Sequence, residues 1–289
     1  LIINGISLGA VYALIAVGFA IVFSVLKFSN FAHGGMISAC AYIAFFFQRN
    51  FETPPPLWIT IAFTGVAGMV IALLVDTLGY RRIRAKHSPP LFYFLSSVTF
   101  AIFIEQYLTV FYGKNMYGFP PIFEQTTFNV AGITLSTLDM VILAVAVALL
   151  IALVLIINRT KLGLAIRTVA IDSRASRLMG INSAVVITFT FVLAGLLAGV
   201  SGVLLGIKYS VYPTLGPSMM VKGFIASVIG GLGSLAGAIA AAVLLGLVEM
   251  ILTYFLGSSI TPALLFGIML LFLFVRPQGI AGKFTQDKA

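Results

Sequence analysis

The chain has 289 residues, 61% hydrophobic and only 9% charged, with a formal net charge of +9 and a mean hydropathy of +1.14. This composition excludes a water-soluble domain of ordinary polarity, and long unbroken apolar runs exclude a membrane barrel, whose strands alternate over about ten residues. The basic excess sits at loop ends, where it acts as a topology signal, so no nucleic-acid partner is needed to explain it.

Taken in chain order, the apolar stretches cover residues 6–26, 31–47, 58–79, 91–112, 138–157, 185–207, 223–256 and 262–275. Most reach the length a helix needs to cross a hydrocarbon core about 30 Å thick. The expected fold class is all-α, a polytopic helical membrane protein of about eight spans in a single transmembrane domain over residues 1–289. The sequence opens on Leu1 and not on a methionine, so residues ahead of it are expected. The first span is not read as a cleavable signal, because no basic n-region or A-x-A site accompanies it.

Basic residues cluster at Arg81, Arg82, Arg84 and Lys86, again from Arg159 to Arg177, and finally at Arg276, Lys283 and Lys288. The positive-inside rule puts all three clusters in the cytoplasm. Counting back from Arg81 places the N-terminal end outside and the turn at residues 27–30 inside. The polar stretch 113–136 then falls outside.

Residues 159–182 hold five of the 17 Lys and Arg. A plain connection between two helices needs only about five residues, so this loop is expected to present a surface to a partner. It reads as two short amphipathic helices, with Leu162, Ile166 and Val169 on one face and Ala175, Leu178 and Met179 forming a second patch. Asp172 or Ser173 supplies an N-cap, and Gly180 the left-handed residue that ends the second helix.

The last third does not divide into simple crossings. Pro213 and Pro217 precede a glycine run, Gly230-Gly231-Leu232-Gly233-Ser234. The reading is one short or re-entrant helix over residues 222–233, entering to about Gly230, and a longer one leaving from Leu235. Gly233, Gly237 and Ala241 recur every four residues and predict close helix packing.

Catalytic chemistry is not expected. His33 and His87 are far apart in sequence, Cys40 is a lone thiol in an apolar run, and no cluster has metal-ligand spacing. No phosphate-binding glycine loop or dinucleotide fingerprint occurs, so no cofactor is expected and any nucleotide belongs to another chain. Two acids deep inside apolar stretches are singled out as intramembrane charges, Glu105 and Glu249, each in the outer half of its span with Lys208 and Lys222 near enough to pair. They line an outward cavity or bond to neighbouring helices through Ser, Thr or Gln106; both readings stand.

Three sets of residues carry a family resemblance. Asn4-Gly5-x-Ser7-Leu8-Gly9-Ala10-x-Tyr12-Ala13-Leu14-Ile15-Ala16 and Asn30-Phe31-Ala32-His33-Gly34 resemble the opening of branched-chain amino acid ABC transporter permeases of the LivH-like branch. The run from Gly163 to Ala170, followed by Ala175 and Leu178-Met179-Gly180-Ile181-Asn182, is similar to that family's cytoplasmic coupling loop. Gly230-Gly231-x-Gly233-Ser234-x-x-Gly237-Ala238, Gly246-x-x-Glu249 and Arg276-Pro277-Gln278-Gly279 resemble its C-terminal pattern. The triple proline at Pro54-Pro55-Pro56 and the polar stretch 114–125 match no feature of the family.

The resemblance implies a non-catalytic permease subunit in a bacterial inner membrane. It implies as partners a second permease chain, LivM-like or an identical copy, two ATPase subunits and a periplasmic binding protein. Arg167, Asp172, Arg174, Ala175, Arg177, Leu178 and Gly180 are then expected at the ATPase contact. Asn30, His33, Glu105, Gly230, Gly231, Gly233 and Glu249 are expected along the translocation path. The ligand reads as a branched-chain or other apolar amino acid, with urea or a short amide as the alternative. A stand-alone secondary carrier is the other alternative; it calls for a second broken helix in the first half, which the sequence lacks.

Overall fold

The computed structural model describes residues 2–86, 88–122, 126–130 and 133–281. His87, Lys283 and Lys288 therefore lie outside the described residues. The helices follow in order as α1 (Ile2–Leu26), α2 (Ala32–Arg49) and α3 (Leu57–Val75), which continues through a π-helical turn (Asp76–Tyr80) into α4 (Arg81–Ala85). Next come α5 (Pro90–Tyr112), a hairpin of β1 (Thr127–Val130) and β2 (Ile133–Ser136), and α6 (Thr137–Arg159). The chain ends with α7 (Lys161–Ile171), α8 (Ser173–Leu178), α9 (Ser183–Tyr209), α10 (Leu215–Gly230), α11 (Leu235–Leu256) and α12 (Thr261–Val275).

Helix α1 is apolar on every face, the pattern of a helix with no solvent or lipid side. It forms the centre of the fold: the side chains from Val11 to Val22 are buried, and α6, α9, α10 and α11 pack around it. The peripheral helices reverse the habit of soluble proteins. On α3 the buried stripe is Thr60, Thr64, Gly65, Gly68 and Ala72, while Trp58, Val66, Val70 and Leu74 point outward. Hydrocarbon offers no penalty to large apolar side chains, so helices associate through small residues that let backbones approach. A Cβ on Gly68 would stand 2.2 Å from the carbonyl oxygen of Gly195 on α9. On α1, Gly9 meets Gly246 of α11 in the same way, with 2.4 Å between a Gly246 Cβ and the Gly9 nitrogen.

Among the described residues, six helices are long and apolar enough to cross a bilayer: α1, the continuous α3–α4, α5, α6, α9 and α11. Of the eight expected stretches, those that fall short are α2, which opens with Ala-His-Gly-Gly and closes with Gln-Arg, and α12, with 15 residues. The all-α expectation becomes nearly all-helical. The polar stretch after α5 contains the antiparallel hairpin, paired from Thr127↔Ser136 to Val130↔Ile133. Four-residue strands are too short to show a periodicity in sequence.

The short helix near Gly230 forms, with its end where the sequence places it and its start further upstream. Helix α10 begins at Leu215, before Lys222, because Pro217 falls in the first turn, where its missing N–H is not required. Gly233 lies in the turn with φ +89°, outside α11, so the small-residue stripe reduces to Gly237 and Ala241. The turn sits at the basic end of the molecule, since Gly233 and Ser234 share a cavity wall with Asn158 and Arg167. At that same end, Arg81, Arg84 and Arg177 line one cavity.

Candidate functional site

At the basic end, residues 159–182 form two helices capped by their own side chains. Thr160 Oγ1 accepts from the Gly163 N–H at 3.1 Å and starts α7. Gly163, Ile166 and Val169 are the buried face of α7, against α1, α6 and α9; Leu162, expected on that face, is 43% exposed. A side chain at Gly163 would strike the Ile157 carbonyl, so glycine is what lets α7 fold back beneath α6.

Asp172 breaks the path between the two helices with φ −151° and ψ 110°. Its Oδ1 accepts from the N–H groups of Arg174 at 2.7 Å and Ala175 at 3.1 Å. These bonds, Ala175 first, hold its carboxyl below the usual carboxylate range. Helix α8 ends before Gly180, whose φ is +81°. Of the two N-cap choices in the sequence the structure uses Asp172. Arg167, Arg174, Ala175 and Arg177 are exposed, and so are Ile171 (88%), Leu178 (91%) and Met179 (75%). Ser176 is buried; its hydroxyl donates to the Asp172 carbonyl at 2.6 Å and so anchors this bare face.

Among the described residues, three ion pairs lie within the helical bundle. Lys222 Nζ stands 2.5 Å from Glu249 Oε1 and 3.0 Å from the Tyr12 hydroxyl, which donates to Glu249 Oε2 at 2.9 Å. The triad joins α10, α11 and α1. Lys208 Nζ meets Asp139 Oδ1 at 2.5 Å, and Ser7 Oγ donates to the same carboxylate at 3.1 Å, joining α9, α6 and α1. Arg84 meets Asp76 at 2.5 Å, with Thr188 of α9 donating to the other Asp76 oxygen at 2.9 Å.

Among the described residues, four acids therefore lie in or at the ends of apolar helices, where the sequence singled out two. Asp76 and Asp139 stand at the ends of their apolar runs, where a charge reads as a boundary residue. A signal was present for Asp139: it opens one apolar run at the end away from the basic clusters, and Lys208 closes another at that end. The expected pairing of Lys222 with a glutamate is formed, whereas Lys208 takes Asp139.

The residues expected along a path do not converge on one chamber. Asn30 accepts from the Tyr80 hydroxyl at 2.8 Å through Oδ1. His33 is fully buried against Gly18 of α1, and neither ring nitrogen has a partner among the described residues. Gly230, Gly231 and Gly233 form the turn after α10. Here Gly237 approaches Gly230 so closely that a Cβ on Gly237 would strike the Gly230 carbonyl. The pattern Arg276-Pro277-Gln278-Gly279 closes this turn from outside: Ile280 N–H donates to Ile229 O at 2.8 Å and Ala281 N–H to Gly230 O at 3.1 Å. Glu249 is 8% exposed inside its triad, while Glu105 of α5 lines a separate cavity.

A family model described as the permease component of branched-chain amino acid transport systems matches residues 1–274. The chain is 31% identical to the high-affinity branched-chain amino acid transport system permease protein LivH of Escherichia coli, over 99% of this chain and 96% of that protein. It is 31% identical over the same shares to the permease protein BraD of Pseudomonas aeruginosa. A probable branched-chain amino acid transport permease, LivH of Methanocaldococcus jannaschii, is 26% identical over 93% of this chain and 88% of its own length. No solved structure matches.

Proposed function

The chain belongs to the permease-component family of branched-chain amino acid transport systems, and from that premise we propose that it is the membrane subunit of an ATP-driven importer. The ligand in this reading is a branched-chain or other apolar amino acid. The chain forms one permease domain over residues 1–289 in the inner membrane and crosses it about eight times. Helices α2 and α12 complete the count, and α10 is a short helix that begins below the outer surface. The chain needs no cofactor and hydrolyses nothing itself. A second permease, LivM-like or an identical copy, pairs with it, two ATPase subunits dock at the basic end, and a periplasmic binding protein delivers ligand at the other.

The observation that carries the docking is the exposed surface formed by α8 and the residues flanking it. Ile171, Leu178 and Met179 stand bare beside Arg174 and Arg177. A loop that only orients the chain has no use for three aliphatic side chains in water; a loop seated in a partner's groove does. Arg167, Asp172, Ala175 and Gly180 belong to the same contact, Asp172 and Gly180 by fixing the ends of α8. Closure of the groove then moves α7 and α8 together, and Ile166 and Val169 pass the displacement to α6, α9 and α1 as a rigid-body shift. The path runs past Glu105 and Glu249 in the outer half, past Asn30 and His33, and out by the turn of Gly230, Gly231 and Gly233.

Reconstitution with the partner subunits in liposomes tests the reading. Uptake of leucine, urea and a sugar is measured side by side. Leucine uptake that needs both ATP and the binding protein is the expected result. Uptake of urea alone would reassign the ligand, and uptake without the ATPases would make the chain a carrier in its own right.

A further inference from the structure

Among the described residues, four carboxylates lie in or at the ends of apolar helices: Asp76, Glu105, Asp139 and Glu249. Three of them have a Lys or Arg nitrogen at 2.5 Å. Glu105 has no such partner, and apart from the helix's own backbone bonds the one hydrogen bond at this residue is accepted by its backbone carbonyl, from Thr109 Oγ1 at 2.8 Å. A carboxylate in a membrane span without a counter-charge is costly and marks a function.

Glu105 opens onto a cavity of about 350 Å³, lined also by Gln106, Thr109, Lys114, Met116, Tyr212 and Pro213. The cavity lies between the C-terminal half of α5, the segment just after it and the extended approach to α10, at the end opposite the basic loops. Its far wall is fixed. Tyr117 and Val211 exchange backbone hydrogen bonds of 2.9 and 2.8 Å. Ser38 Oγ donates to Pro213 O at 2.8 Å and accepts from Gly216 N–H at 2.8 Å. The backbone groups at the head of α10 are thus already satisfied, which leaves side chains to meet a ligand.

We propose that this cavity receives a zwitterionic α-amino acid on its way inward, the Glu105 carboxylate pairing with the α-ammonium and Lys114 with the α-carboxylate. The proposal rests on the importer reading above and names a subsite within it. One carboxylate and one ammonium match the two charges of such a ligand and leave no net charge in the site. Met116, Tyr212 and Pro213 supply the apolar wall for its side chain, in a volume typical of small-molecule sites. Urea brings neither an ammonium nor a carboxylate and leaves Glu105 and Lys114 without the direct charged partners an amino acid gives them, so a site of this kind disfavours it.

The test uses the complete transporter in proteoliposomes with leucine-loaded binding protein outside, and reads leucine taken up per ATP hydrolysed. Wild type must import leucine; if it does not, the importer reading fails and not this one. Glu105→Gln should lower the ratio about ten- to hundred-fold, the worth of one charge-assisted hydrogen bond, and Glu105→Asp should recover part of it. Lys114→Cys gives an independent arm, since the native Cys40 is buried. Its ratio should fall, rise again when an aminoethyl thiosulfonate restores the ammonium, and fall further with a sulfonatoethyl reagent. An unchanged ratio in Glu105→Gln, or equal effects of the two reagents, would overturn the proposal. Loss of the second permease from the purified Glu105→Gln complex would also overturn it, because Glu105 would then serve a base on that subunit.

Discussion

Replacing Lys222 by Met tests whether charge holds the short helix α10 against α1 and α11. Methionine keeps most of the stem and removes the ammonium. In the wild type the Lys222 and Glu249 side chains are 18% and 11% exposed and their charged atoms are 2.5 Å apart. Without Lys222, the Glu249 carboxylate keeps the Tyr12 hydroxyl as its single partner. Breaking a shielded pair from one side costs about 3–5 kcal/mol, whereas replacing both partners with apolar groups is often neutral or better. The double variant Lys222→Met/Glu249→Leu should therefore be more stable than Lys222→Met alone. Denaturant unfolding of the full chain in mixed micelles, run on both single variants and the double, gives the coupling directly. Equal losses in Lys222→Met and the double would refute the reasoning, because the cost would then come from packing of the stem. A loss below about 1 kcal/mol in the single would place the pair with solvent-screened surface pairs instead.

Ala175→Glu should leave insertion intact and abolish co-purification of the ATPase, because it drives an unpaired carboxylate into the groove; undiminished co-purification and uptake would remove α8 from the contact. Gly68→Leu should disrupt the α3–α9 contact and lower the melting temperature, while Gly267→Leu, with nothing within 4 Å of its Cβ position, should not; equal melting of the two would contradict the backbone approach. Cysteines at the exposed positions Met116 and Ser258 should react with an impermeant thiol reagent from outside, and one at Leu178 only from inside; the reverse pattern would invert the topology. Asp172 has a depressed folded-state value, so its capping contribution is full above about pH 4 and is lost as the pH falls through that value. Amide exchange at Arg174 and Ala175 should rise over that window in wild type and be high throughout in Asp172→Ala.

Local features were the legible ones. Asp172 and Gly180 could be placed because capping acts within a few residues, and the break from Gly230 to Leu235 because glycine and serine cluster there. What the sequence withheld depends on distance along the chain. Asp139 and Lys208 are 69 residues apart, and neither alone distinguishes a buried pair from two interfacial charges. Helix α10 starts at Leu215, upstream of the expected residue 222, and that start depends on where the preceding extended segment stops, which no local pattern marks. Glu105 and Glu249 looked equivalent by depth in their spans. Their neighbours make them different: one is sealed by an ammonium and a phenol, the other faces an open cavity.

The turn that ends α10 also bears on how the protein is made. Two of its glycines have positive φ, at Gly231 and Gly233, and among the described residues the carbonyls of Ile229 and Gly230 find their donors on Ile280 and Ala281. Those donors are synthesised after α11 and α12, so when α10 leaves the ribosome its inner end has no partner. The helix can be inserted early yet cannot be finished until the last span is in place. A nascent chain stalled after α11 should therefore carry a frayed α10, and a protease acting from the cytoplasm should cut at Gly231 to Gly233 in that intermediate and spare the completed protein.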